Sequence, residues 1–209
     1  LRITQFSEGA PEQVKEALEE LSVKEIDGLI LDLRNNSGGL VSSGLAVADD
    51  FLSNMPIVET KKRDSINDPI SSGIETLYNG PMVTLVNEGT ASASEILAGA
   101  LQDNERSSLM GQPTYGKGLI QSLKNLSENS GIAVTVASYL TPNGNNIQGR
   151  GIIPNKVLDL PESKDFGSSE DKWVKNAAIY LSSLLEKEIK VDSEEIIESN
   201  QLVQNKEKD

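Results

Sequence analysis

Two amino acids that carry much of enzyme chemistry are missing from this sequence: none of its 209 residues is histidine or cysteine. A Ser-His-Asp or Cys-His catalytic site is therefore excluded, because the imidazole that carries the proton is absent. Zinc sites built on histidine or cysteine, thiol redox sites, disulfides and cysteine-ligated iron–sulfur clusters are excluded as well. If the chain is an acid–base enzyme, lysine, aspartate, glutamate or tyrosine must transfer the proton.

Positive charge and long apolar runs are also scarce. The net charge is −13, from 19 basic and 32 acidic residues, which argues against a nucleic-acid partner. No apolar run approaches the roughly 18 residues of a membrane-spanning helix. The chain opens with LRITQFS, which is neither an initiator methionine nor a signal peptide. We therefore expect it to be part of a longer protein, with its targeting information elsewhere.

The apolar pattern alternates between strands and helices. Continuous apolar runs at 28–33 and 82–86 predict strands buried on both faces. Helical spacing covers 11–21, 40–52 and 92–103. Shorter strands are predicted at 1–6, 56–60, 107–111 and 131–140, around a polar stretch at 61–79, and an amphipathic helix is predicted at 170–186. This alternation indicates an α/β core over 1–155 with an at least partly parallel sheet, followed by a helical, acidic tail over 156–209.

The first of three glycine-marked segments is DLRNNSGG, residues 32–39, where a buried strand ends. Gly38 and Gly39 tolerate positive φ and allow close approach of another group. Their N–H groups could bind an anion or a developing oxyanion. A plain turn explains the same residues, and both interpretations stay open at this point.

The second segment, NEGTASASEILAGALQD at 87–103, leads from a strand through Gly89 into a helix that begins near Ser92. A serine on such a sharp turn, with helix N–H groups behind it, resembles the nucleophile elbow of hydrolases. The alternative is helix capping, since Ser92 and Glu95 have capping-box spacing.

The third segment, GQPTYGKGLIQS at 111–122, holds Lys117 between two glycines. A lysine that acts as a general base must be neutral near pH 7, which requires burial or a nearby cation. A solvated loop lysine is the simpler alternative. A serine elbow, a glycine-flanked lysine and a glycine turn are, taken together, the parts of a Ser-Lys acyl-transfer site.

These segments, with YLTPNGNNIQGRGIIPN at 139–155, resemble the carboxyl-terminal processing, or tail-specific, protease family. The resemblance covers roughly residues 1–155 and is looser through the 170–186 helix. It implies a crotonase/Clp-protease-like ββα core with strands 28–33 and 82–86 at its centre. It also implies hydrolysis of peptide bonds near the C terminus of a protein substrate, without metal or other cofactor.

The resemblance implies a role for particular residues. Ser92 would be the nucleophile, Lys117 its general base and Gln121 the residue that orients the lysine. The oxyanion would be held by backbone N–H groups of Gly38 and Ala93.

Further residues are less firmly assigned by the resemblance. Gly39 is the alternative to Gly38 as oxyanion donor, and Ser94 is the rival to Ser92 as nucleophile. Asp103 stands where some relatives have an important aspartate, although a surface salt bridge explains it equally well.

The chain departs from the family in three respects. The PDZ domain that binds the substrate's C-terminal tail in relatives is absent and is expected in the parent chain. Ser37 replaces a common proline, and Asn155 a common aspartate. Relatives are usually exported to the periplasm or the thylakoid lumen, and we expect the same here. A non-catalytic peptide- or ligand-binding module on the same fold is the main alternative function, and a crotonase-like acyl-thioester enzyme is a third.

Overall fold

A computed structural model describes residues 1–160, apart from 64, 68, 128 and 129, and residues 166–186. The charged end predicted at 187–209 lies outside the described residues. In chain order the elements are α1 (Ala10–Val23), β1 (Leu29–Asp32), α2 (Val41–Asp49), β2 (Pro56–Lys61), β3 (Ile70–Ser71), β4 (Met82–Val86), α3 (Ala93–Asp103), β5 (Ser108–Gly111), β6 (Leu119–Ser127), β7 (Ser130–Leu140), β8 (Lys156–Val157) and α4 (172–186). Among these residues, no helix combines the length and apolar character needed to cross a membrane.

Four parallel strands form the central sheet, in the order β1-β4-β5-β8. Leu29 pairs with Met82, and Val83 pairs with Ser108. All five residues of β4 are buried, which is why its sequence, MVTLV, is apolar at every position except Thr84. The first turns after β1 and β4 therefore emerge side by side at the carboxyl edge of the sheet.

Helices cover both faces of this sheet. One face packs with α1, α2 and α3 in a large apolar cluster that includes Val14, Val47 and Leu97. The other face packs with α4, whose Trp173 and Leu181 contact a cluster containing Val83, Leu85 and Met110. The tail helix predicted at 170–186 is thus part of the packed core rather than an extension from it.

A second, antiparallel sheet lies beside the first, in the order β3-β2-β7-β6. The long β6–β7 hairpin follows directly on the segment that carries Lys117. Most of β7 is exposed, and its C-terminal end, from Ala137 to Leu140, turns into the core.

The predicted α/β class and ββα core are confirmed, with two differences of detail. Strand β4 lies inside the parallel sheet, whereas β1, predicted at its centre, is one of the two edge strands among the residues described. Residues 1–6, predicted as a strand, make isolated bridges instead: Arg2 pairs with Asp32, and Phe6 pairs with Gly39. Phe6 thereby fixes the chain just beyond the end of β1.

Candidate active site

Ser92 has a backbone conformation that few non-glycine residues adopt. Its φ is 60° and its ψ is −120°, immediately before α3 begins. A residue with a Cβ atom in such a region costs about 1–3 kcal/mol and persists only where the surroundings impose it. The side chain is half-buried at the end of the turn formed by residues 87–92, which we call the elbow. This is the geometry of a serine presented at a sharp strand-to-helix turn.

The neighbouring hydroxyl groups of the elbow are already engaged. Ser94 is fully buried, and its Oγ donates to the carbonyl oxygen of Asn36 at 3.0 Å. Thr90 is also buried, and its Oγ1 donates to the carbonyl oxygen of Leu33 at 2.9 Å. Both side chains hold the elbow against the end of β1. Of the three residues, Ser92 is the one that is only half-buried, and it forms the predicted capping box with Glu95 at the start of α3.

The predicted glycine turn, residues 35–39 of the segment 32–39, lies directly against the elbow. A Cβ atom on Gly38 would come within 2.8 Å of the Ser92 Cβ and 2.7 Å of the Ala91 carbonyl oxygen. Gly38 has a φ of 97°, so both its conformation and its surroundings require glycine. The Ala91 N–H donates to the Asn36 carbonyl at 3.0 Å. The first two predicted segments therefore meet in space.

Two asparagines, Asn35 and Asn87, join these segments by hydrogen bonds. The Asn35 N–H donates to Asn87 Oδ1 at 2.8 Å, and Asn87 Nδ2 donates to Asn35 Oδ1 at 2.9 Å. Asn36 is fully buried and its Nδ2 donates to the Ile3 carbonyl at 3.0 Å. These bonds fix the relative position of the two turns.

The backbone donors predicted for an oxyanion differ in how they are engaged. Ala93 N–H, at the first position of α3, has no acceptor among the residues described. Gly38 N–H donates to Asn36 Oδ1 at 3.0 Å. Gly39, the alternative donor, is exposed and its N–H has no acceptor in the described part of the chain. In this structure an oxyanion beside Ser92 would therefore find Ala93 available and would compete with Asn36 for Gly38.

Glu95 connects the elbow to the loop that carries the lysine. Its side chain is fully buried, and its carboxylate accepts four hydrogen bonds, two at each oxygen. The Oε2 atom accepts from Ser92 N–H at 2.9 Å and from Lys117 N–H at 2.8 Å. The Oε1 atom accepts from Gly116 N–H and Thr114 Oγ1, each at 2.6 Å. The backbones of Ser92 and Lys117 are thus both bound to one oxygen atom.

The side chains of Lys117 and Gln121 are not closed onto the serine. Both are exposed. Among the described residues, neither makes a hydrogen bond to Ser92 or to the other. Lys117 lies between Gly116 and Gly118, where an added Cβ would strike the backbone of residues 147–151. The structure therefore brings the backbones of the predicted dyad together and leaves the lysine side chain in solvent.

Asp103 lies at the other end of α3 from Ser92. Eleven residues at 1.5 Å each place it about 16 Å away along the helix axis. Its Oδ2 accepts the Asn143 N–H at 2.9 Å, which holds the turn that follows β7. It makes no ion pair within the described residues. This position supports a structural role for Asp103 and no contact with the reacting groups.

Comparison with known proteins identifies the family. The sequence model of Peptidase family S41 matches residues 1–158 of the chain. The chain belongs to peptidase family S41. The resemblance to the carboxyl-terminal processing protease family, stated on the glycine-marked segments, is thereby confirmed.

Proteins that are similar to this chain are named as carboxyl-terminal-processing proteases. A carboxyl-terminal-processing protease of Synechocystis sp. is 50% identical over 161 residues, which cover 77% of this chain and 38% of that protein. The chloroplastic carboxyl-terminal-processing peptidase 2 of Arabidopsis thaliana is 42% identical over 191 residues, or 87% of this chain and 36% of that protein. A solved photosystem II D1 C-terminal processing protease superposes with a TM-score of 0.73 at 40% identity, covering 81% of this chain and 46% of that one. The chain thus spans less than half the length of these relatives.

Sequence reasoning missed two features of the site. It treated Glu95 as a capping residue, whereas the carboxylate also binds the lysine loop, residues 112–118. It also did not assign Asn36, whose side chain and carbonyl hold Gly38, Ala91 and Ser94. The signal was a polar side chain at a position where the surrounding pattern is apolar: Glu95 precedes the buried run Ile96 to Leu101.

Proposed function

We propose that this chain is the catalytic core of a serine endopeptidase that cleaves protein substrates near their C terminus through Ser92 and Lys117. The observation that carries the proposal is the shared anchor of the two residues, since their backbone amides donate to the same oxygen of Glu95. Ser92 is also held at φ 60° beside that anchor, and backbone strain of this kind clusters at active sites. The names of the relatives support the same reaction.

The reaction proceeds by acyl transfer. Neutral Lys117 accepts the proton of Ser92 Oγ as this oxygen attacks the scissile carbonyl carbon. The negative charge on the former carbonyl oxygen is held by the N–H of Ala93 and by that of Gly38 or Gly39. The lysine then gives its proton to the leaving amine, and water hydrolyses the ester on Ser92.

The exposed lysine side chain sets a condition on this mechanism. A lysine in water carries its proton, so Nζ must move onto Ser92 Oγ and be covered before it can act as base. Catalytic hydrogen bonds are commonly open in a free enzyme and close when substrate binds. We propose that the substrate, together with the rest of the parent protein, closes the lysine loop, and that Gln121 then orients Nζ.

The parent protein is proposed to bind the C-terminal tail of its substrate through a PDZ domain outside this chain and to work in an exported compartment. Chloroplastic and cyanobacterial relatives support the latter. A different S41 protein that binds peptide without cleaving it would share every backbone feature described above. The exposed side chain of Lys117 is the observation that favours this second function.

Cleavage of a tailed protein by the complete parent protein tests the proposal. Ser92→Ala and Lys117→Ala should each abolish cleavage, whereas Ser94→Ala should retain it because its hydroxyl only supports the turn. Cleavage by either of the first two variants at the wild-type rate would refute the dyad.

A further inference from the structure

A buried guanidinium links α4 to the glycine turn. Arg34 follows β1 and is 1% exposed. Its Nε and Nη2 donate to the two oxygens of Asp32 at 2.8 and 2.6 Å. Its Nη1 and Nη2 donate to the two oxygens of Asp171 at 3.1 and 2.7 Å. One cation is thus clamped by two carboxylates that lie 139 positions apart in the sequence.

Asp171 also begins α4. Its Oδ1 accepts the N–H groups of Trp173 and Val174, at 3.1 and 3.2 Å. Burial alone would raise the pKa of Asp171, but the hydrogen bonds from Arg34 and from backbone N–H groups hold it at about 2. The carboxylate is therefore ionised throughout the physiological range. Phe166 covers the same guanidinium, with its ring centre 4.7 Å from the Arg34 Cζ.

The clamp is directly continuous with the residues that meet the elbow. The Arg34 N–H donates to Asp32 Oδ1 at 3.0 Å, so the aspartate fixes both the backbone and the side chain of the arginine. Two residues later, Asn36 N–H donates to the Leu33 carbonyl at 3.2 Å. Asn36 Oδ1 then accepts Gly38 N–H. Each link from Asp171 to Gly38 is a hydrogen bond or a covalent neighbour.

We propose that Asp171 is a positioning residue: through Arg34 it holds the glycine turn in the conformation in which Gly38 meets the Ser92 elbow. Asp171 lies beyond residue 158, where the match to Peptidase family S41 ends. The C-terminal segment 166–186 is then a required part of the catalytic unit. The kinetic consequence of this proposal rests on the proposed function, whereas its structural consequence does not.

The test uses variants that separate the ion pair from the helix cap. Asparagine and serine cap helices about as well as aspartate, so Asp171→Asn and Asp171→Ser keep the start of α4 and remove the charge that Arg34 binds. Asp32 remains to pair with the arginine. The matched control is Glu170→Gln, which removes a neighbouring charge whose side chain is 79% exposed and 3.8 Å from Lys175 Nζ.

Two measurements are made on each folded variant of the complete parent protein: amide hydrogen exchange of residues 34–40, and the rate at which a fluorophosphonate phosphonylates Ser92 Oγ with loss of fluoride. In both Asp171 variants we expect exchange in 34–40 to rise at least about tenfold while α1 is unchanged. The phosphonylation rate constant should fall about tenfold, with the half-saturating probe concentration changed less than about threefold. Glu170→Gln should match wild type in both.

Three results would overturn the proposal: unchanged exchange in 34–40, a rise shared equally by α1, or a local rise with unchanged phosphonylation of Ser92. If wild-type Ser92 does not react, the proposed function fails. The exchange measurement then still decides whether Asp171 orders the glycine turn.

Discussion

Replacing Glu95 with glutamine is expected to separate the elbow from the lysine loop. The carboxylate accepts four hydrogen bonds, whereas the single amide oxygen of glutamine has room for two. The four donors come from Ser92, Thr114, Gly116 and Lys117, and the NH₂ group of the glutamine would face the two that the amide oxygen does not accept. Each buried donor left without an acceptor costs about 1–3 kcal/mol. The free energy of unfolding should therefore fall by about 2–6 kcal/mol.

The reactivity of Ser92 should fall together with the stability. A displacement of about 1 Å between reacting groups lowers a rate about 100-fold, so fluorophosphonate labelling of folded Glu95→Gln should slow by about that factor. Urea unfolding gives the stability, and mass spectrometry gives the labelling rate. The control is Glu12→Gln, which removes an exposed carboxylate from the first turn of α1. Unchanged stability together with unchanged labelling in Glu95→Gln would refute the role of this carboxylate.

Three further predictions concern the frame of the site. Burial, followed by repulsion from Asp49, raises the pKa of Asp50 to about 6. Ionising this group costs free energy in the folded state only, so Asp50→Asn should stabilise the protein by about 1–2 kcal/mol above pH 7, measured by urea unfolding, and by nothing below pH 4. Trp173, 2% exposed, anchors α4, and Trp173→Ala should lower the unfolding free energy by about 3–5 kcal/mol in the same assay. Gly38→Ala should slow Ser92 labelling more than about tenfold, because its Cβ would strike the Ala91 carbonyl.

Two of these predictions have a control variant within the chain. Gly144 has a φ of 78° with nothing within 4 Å of an added Cβ, so Gly144→Ala bears the backbone strain of Gly38→Ala without the collision and should leave labelling intact. Ile179 is 69% exposed on α4, and Ile179→Ala should change stability by less than about 0.5 kcal/mol. If Asp50→Asn still stabilised the protein at pH 4, the cost of burying the Asp50 charge could not be the cause of the stabilisation.

The parallel sheet was predictable because its strands are buried on both faces. The predicted run 82–86 coincides with β4, and the helices predicted near 11–21 and 92–103 correspond to α1 and α3. The antiparallel sheet was less accessible to sequence reasoning. Strand β7 is largely exposed, and β3 has only two residues, so no apolar pattern marks their pairing. The same is true of β8, the exposed two-residue strand at the edge of the parallel sheet.

The candidate site divides in the same way. Glycine marked all three segments, because each turn needs a conformation or a close approach that other residues resist. The bonds that join the segments could not be read from the sequence. Glu95 binds donors 19 to 22 positions away, and Arg34 binds Asp171 at a separation of 137. Local spacing explains the first as a helix cap and gives no indication of the second.

The most direct test of the account is to identify the residue that a fluorophosphonate modifies in the complete parent protein. The account predicts a single adduct on Ser92, present in Ser94→Ala, absent in Ser92→Ala and strongly reduced in Lys117→Ala. An adduct on Ser94, or labelling of Ser92 that does not depend on Lys117, would contradict it.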